Sequence, residues 1–117
     1  MNNEPALRSR LAHLRKEVDT LDLQFLDILA KRIAVVQELS VYKCALGIPL
    51  RDAEREEELV ELHSLWAERL GLPQTLVREL FSVVLQSSRE LQASLRRGPV
   101  EMAVHLNESA SARKIRA

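Results

Sequence analysis

Cysteine is almost missing from this 117-residue chain: Cys44 stands alone, so neither an intramolecular disulfide nor a cysteine-based zinc site can form. Aromatic residues make up only 3% of the sequence, against 46% hydrophobic residues in all, so the core has to be aliphatic. Net charge is absent too, because 17 Lys and Arg balance 17 Asp and Glu, and this argues against a chain-wide attraction to nucleic acid or to an anionic membrane. Any cationic site must be local. His13, His63 and His105 are scattered without metal-ligand spacing, and no glycine-rich phosphate loop is present, so neither a metal nor another cofactor is expected. No apolar run approaches the roughly 18 residues that span a bilayer, and residues 1–5 do not lead from a basic segment into an apolar one. The expected address is the cytoplasm, with no membrane partner.

Glycine and proline are equally sparse, and where they occur they punctuate. Pro5, Gly47-Ile48-Pro49, Gly71-Leu72-Pro73 and Gly98-Pro99 leave three uninterrupted segments, each with helical periodicity. The first, from about Ala6 to Leu46, repeats apolar residues at Leu7, Leu11, Leu14, Val18, Leu21, Phe25, Ile28, Val35 and Leu39, a cadence of one helical face. The second opens at Asp52, a competent N-cap, carries Leu59, Leu62 and Trp66 inward, and ends at a Gly71 C-cap. Pro73 suits the first turn of the third, which turns Val77, Phe81, Val84, Leu91 and Leu95 inward. The predicted fold is all-α, with one very long, one short and one medium helix in a single domain over residues 5–97. A tail over residues 98–117, with weak periodicity and Arg113-Lys114-Arg116, is expected to be flexible.

Helix length forces an inference about assembly. At 1.5 Å per residue the first helix would be about 60 Å long, whereas a compact globule of this chain length is about 35 Å across. Two shorter helices cannot cover so long an apolar stripe, and leaving it in water forfeits roughly 1.5–3 kcal/mol per large aliphatic side chain. A second copy is expected to cover it, giving an intertwined helical homodimer.

The informative residues interrupt the apolar pattern from within. Four residues after Ile28 comes Arg32, four after Leu39 comes Lys43, and Arg15 lies on the flank of the same stripe. Helix rise separates Arg15 from Arg32 by about 25 Å and Arg32 from Lys43 by about 16 Å, so Arg15 of the same chain is too distant to join the other two on one small ligand. Arg15 of a second copy could reach them. Each cation taken singly has a plain structural explanation, a methylene stem covering the core edge with its head in water. Three together favour an anionic ligand, because buried cations without partners are costly. Arg55 extends the second stripe backwards with Glu56 beside it, within a charge run that would ordinarily be a solvated face. Ser88 and Gln92, one turn apart on the third stripe, are either mutually satisfied core polars or hydrogen-bond donors to a ligand. No nucleophile-base pair accompanies them. Such a site can bind a small, multiply carboxylated molecule and stabilise charge that develops as it reacts.

These residues, taken in order, resemble the all-helical AroQ-type chorismate mutases, most of all the short homodimeric kind. The resemblance covers about Leu7 to Leu95 and rests on Leu14-Arg15 followed by Asp19-Leu21-Asp22, Ala30-Lys31-Arg32, Lys43, Ile48-Pro49-Leu50-Arg51-Asp52 with Arg55-Glu56, and Ser88 with Gln92. It implies a unimolecular Claisen rearrangement of chorismate to prephenate without a covalent intermediate. It further implies that Arg32 and Arg15 of the partner subunit hold the substrate carboxylates with help from Ser88. Lys43 and Gln92 would face the ether oxygen, Glu56 and Asp52 the ring hydroxyl, and Arg55 would brace that corner. Ser87 departs from the family pattern, standing where an acidic residue is common. Three other readings remain: a 4-amino-4-deoxychorismate mutase, which would differ mainly at Asp52 and Glu56; an isochorismate-pyruvate lyase, which the chain resembles less from Arg51-Asp52 to Glu56; and a non-enzymatic helical dimerisation module, which would explain the apolar stripe but not the cations and amide within it.

Overall fold

The computed structural model describes residues 2–95. It contains α1 (Glu4–Ala45), α2 (Ala53–Leu70) and α3 (Gln74–Leu95), with no strand among the described residues, so the all-α reading holds. The tail expected over residues 98–117 lies outside the described residues.

Local chemistry sets the helix ends. The Asn2 side chain accepts from the Glu4 backbone N–H at 2.9 Å, and Asn3 O accepts from the Leu7 N–H, which starts α1. Gly47, at φ +69°, ends it: its N–H donates to Cys44 O and that of Ile48 to Lys43 O, the paired bonds of a Schellman motif. Asp52 caps α2, its Oδ1 accepting from the Arg55 backbone N–H at 3.1 Å. Gly71, at φ +67°, closes α2 with the same two-bond pattern onto Glu68 O and Ala67 O. Pro73 falls just before α3 rather than in its first turn, with its carbonyl accepting from the Val77 N–H.

The described residues form two units, one up to Ile33 and one from Ala34. The first unit is helix alone and buries no side chain: Leu7, Leu11, Leu14, Val18, Leu21, Phe25 and Ile28 are all solvent-exposed in the single chain. Its ion pairs, Glu4 with Arg8, His13 with Glu17 and Asp27 with Lys31, are one-turn surface pairs that add little stability.

In the second unit α2 and α3 run antiparallel. Near their turn Ser64 Oγ donates to Gln74 Oε1 at 2.9 Å while Gln74 Nε2 donates to Ser64 O at 3.0 Å, a reciprocal clasp across the hairpin. His63 stacks on Phe81, with centroids 3.7 Å apart and ring planes 18° apart. The inward face of α2 differs from the expected one: His63 and Ala67 are buried, whereas Trp66 is 43% exposed. Leu59 and Leu62 are half-buried, so the departure from the expected face is at Trp66. On α3, Val77, Ser88, Gln92 and Leu95 are buried.

Candidate active site

Of the polar residues that interrupt the helical patterns, Lys43 and Gln92 meet in the second unit. Lys43, in the last turn of α1, donates from Nζ to Gln92 Oε1 at 3.2 Å and to Leu50 O at 3.0 Å. These bonds link α1, the loop before α2, and α3 at one ammonium group. Gln92 is 6% exposed. With its Oε1 occupied, the amide presents its Nε2 donors elsewhere, and the ammonium keeps one N–H beyond the two acceptors it has among the described residues. A cation and an amide donor are thereby fixed side by side before any ligand arrives.

Leu50 is followed by Arg51, which begins a second cluster. Glu56, in the first turn of α2, accepts from Arg89 Nη1 on Oε1 at 2.9 Å and from Arg51 Nε on Oε2 at 3.3 Å. Its side chain is 23% exposed, that of Arg89 35%, and that of Arg51 73%, so the Arg89 contact is the closer and the better shielded. Arg89 lies three residues before Gln92 on α3, which brings the two clusters within one turn of each other along that helix. Arg51, Glu56 and Arg89 also line a cavity of about 370 Å³ between α2 and α3, together with His63, Val77 and Phe81.

Asp52 commits Oδ1 to its capping bond, and Arg55 directs Nη1 to Glu58 at 3.2 Å from an exposed position. Ser88, 9% exposed, donates from Oγ to Val84 O at 2.9 Å. Arg15 and Arg32 belong to the first unit, where Arg15 is exposed and Arg32 is half-buried. Burial lowers the Arg32 pKa from its ordinary value, and an arginine so placed still carries its charge at neutral pH. Among the described residues no group of His, Cys, Asp and Glu could hold a metal ion, and no helix is long and apolar enough to cross a membrane.

Three features escape sequence reasoning. Gln37 and Ser40, each 1% exposed, have Nε2 and Oγ respectively without a hydrogen-bond partner among the described residues. An unsatisfied buried polar group costs about 1–3 kcal/mol, so this is an unusually polar stretch of interior. Their spacing, three and six residues before Lys43, is a usable signal in retrospect. Arg89 is hidden within Ser87-Ser88-Arg89-Glu90, where it reads as a surface charge, and only the fold brings it to Glu56. His63 reads as a lone histidine, and its stacking on Phe81 has no local signature.

Comparison with known proteins adds a family signal. The profile of the family described as chorismate mutase type II matches residues 14–93. The chain is 34% identical over 80 residues to the T-protein of Enterobacter agglomerans, covering 68% of this chain and 21% of that protein. It is 25% identical over 83 residues to the chorismate mutase of Methanocaldococcus jannaschii, covering 71% of this chain and 84% of that protein. It is 29% identical over 82 residues to the bifunctional chorismate mutase/prephenate dehydratase of Buchnera aphidicola subsp. Baizongia pistaciae, covering 70% of this chain and 22% of that protein. The chain thus spans about a fifth of the length of the T-protein and of the dehydratase fusion, and most of the length of the archaeal enzyme.

Proposed function

Since the chain belongs to the chorismate mutase type II family, we propose that it catalyses the rearrangement of chorismate to prephenate, an isomerisation in which one carbon–oxygen bond breaks as one carbon–carbon bond forms. The observation that carries this reading is the pairing of Lys43 with Gln92, 49 residues apart in sequence and joined in a part-buried position. The migrating enolpyruvyl group leaves electron density on the ether oxygen at the transition state. Lys43 and Gln92 supply an ammonium and an amide donor for that density, already oriented and therefore worth more than the same groups in water. No proton is transferred and no covalent bond to the protein forms.

In this reading Arg32 and Arg15 of the partner subunit hold the two substrate carboxylates, Ser88 assists, Glu56 with Asp52 takes the ring hydroxyl, and Arg55 supports that corner. Two-pronged guanidinium contacts suit the task because the reaction needs a folded substrate conformer, and planar pairs orient as well as attract. A homodimer supplies Arg15 in trans, and the exposed apolar face of the first unit supports that assembly: the stripe residues Leu7, Leu11, Leu14, Val18, Leu21, Phe25 and Ile28 are 39–68% exposed in the single chain. The domain over residues 5–97 is taken as the catalytic unit.

The test is direct. Purified protein should consume chorismate, followed by loss of its absorbance, and the product should be prephenate. Release of pyruvate from isochorismate without prephenate formation from chorismate would assign a lyase instead.

A further inference from the structure

We propose that Arg89 is a specificity-determining residue which, through Glu56, makes the site select a substrate whose ring carries a neutral hydroxyl and reject one carrying an ammonium at the same carbon; this rests on the mutase reading above. Asp52, Glu56 and Glu58 at this corner are already engaged by the protein's own donors. Glu56 gives Oε1 to Arg89 at 2.9 Å and Oε2 to Arg51 at 3.3 Å, Asp52 gives Oδ1 to the Arg55 backbone N–H at 3.1 Å, and Glu58 gives Oε2 to Arg55 at 3.2 Å. Arg51, Arg55 and Arg89 match the charges of Asp52, Glu56 and Glu58 one for one, while Glu54 and Glu57 of the same segment are solvent-exposed.

The geometry treats the two ring substituents differently. A hydroxyl can donate to a carboxylate oxygen that already accepts from a guanidinium, because each oxygen has more than one lone pair and the incoming group brings no charge. An ammonium at the same place has to displace Arg89 from Oε1 or sit beside its positive charge, and like charges in a partly desolvated cleft repel. Arg89 matters more than Arg51 here because it is the nearer and less exposed of the two: its side chain is 35% exposed against 73%. Arg89 need not touch the substrate; it acts through Glu56 as a positioning residue, fixing both the direction and the effective charge of that carboxylate.

The experiment compares kcat/KM for chorismate and for 4-amino-4-deoxychorismate in the wild type, Arg89→Leu, Arg89→Gln and Arg89→Lys. Both compounds are presented to the same preparation, so their ratio is independent of how much of each variant folds. The wild type should favour chorismate. Arg89→Leu and Arg89→Gln should reduce that preference by about fivefold, the factor that corresponds to about 1 kcal/mol, while Arg89→Lys, which keeps the charge, retains most of it. A ratio unchanged in Arg89→Leu and Arg89→Gln, with chorismate still turned over by the wild type, overturns the role of Arg89 and leaves the mutase reading intact. A wild type that prefers the amine overturns the inference as well. Failure of the wild type to convert either compound overturns the mutase reading, and this inference with it.

Discussion

The helix up to Ile33 carries its leucines on the surface, whereas the unit from Ala34 carries glutamines, serines and a histidine inside. Among the described residues the buried side chains are Ala67, Val77 and Leu95 together with the polar Gln37, Ser40, His63, Ser88 and Gln92, and all of them lie in the second unit. Each region inverts the ordinary rule in its own direction, and each inversion carries a different message. A long apolar face in water needs a protein surface to cover it. A polar interior needs hydrogen-bond partners: Gln92 has one in Lys43 and Ser88 one in Val84 O, whereas Gln37 Nε2 and Ser40 Oγ have none among the described residues. On the reading proposed above, the first stretch would serve assembly and carry Arg15 and Arg32, and the second would hold the charge-stabilising Lys43 and Gln92.

The sharpest way to break this contrast is to ask whether both regions serve one reaction. Lys43→Ala should lose roughly 10²–10³-fold in kcat, the loss typical of removing one donor from a preorganised charge-stabilising site. Arg15→Ala, in the other region, should be similarly impaired. Mixed under conditions of demonstrated subunit exchange, the two variants should recover part of the wild-type rate, because a mixed dimer has one site with both residues intact. A mixture that stays inactive would show that the first region does not contribute Arg15 across a subunit boundary.

Gln92→Glu tests the polar interior alone. At neutral pH an ionised carboxylate would repel the developing charge on the ether oxygen, so kcat should fall by about 100-fold. Protonated, the same carboxyl donates a hydrogen bond as the amide does, so the rate should rise again as pH is lowered toward about 5. A folded variant with a flat pH profile and wild-type rate would remove Gln92 from the reacting oxygen. Leu21→Asp tests the apolar exterior. Leu21 is 60% exposed in the single chain, so a monomer would tolerate the change, but a dimer built on this face should lose about 1.5–3 kcal/mol and shift toward monomer in sedimentation equilibrium.

The smallest effect is expected of a control that alters neither the apolar face nor the buried polar residues. Gly71 caps α2 at φ +67°, and a Cβ there would meet nothing within 4 Å, so Gly71→Ala incurs only the backbone strain of the left-handed conformation. Its urea midpoint should correspond to a loss of about 1–2 kcal/mol, with kcat unchanged.

Much of this was legible in the sequence, and the reasons differ from residue to residue. Helix ends depend on nearest-neighbour chemistry, so Asp52, Gly47 and Gly71 mark them within a residue or two of the observed Glu4–Ala45 and Ala53–Leu70 spans. Lys43 and Gln92 stood out because each replaces an apolar residue in a regular cadence. Trp66 misled because α2 has adjacent candidate faces, and the choice between them depends on the fit of Ala67 and His63, a property of the packed pair of helices. Arg89 and Glu56 are 33 residues apart, and no period along the chain connects them.

The bond from Lys43 to the carbonyl of Leu50 also bears on how the rate should respond to temperature. A free lysine side chain retains about 2 kcal/mol of rotamer entropy, which a floppy active site would have to surrender on the way to each transition state. Here the ammonium is tied to the loop at 3.0 Å and to Gln92 at 3.2 Å, so that ordering is completed once, when the chain folds. The barrier should accordingly contain little activation entropy from this residue. Loosening the tether by deleting one residue between Leu46 and Leu50 should appear in an Eyring plot as a more negative intercept, before the slope changes.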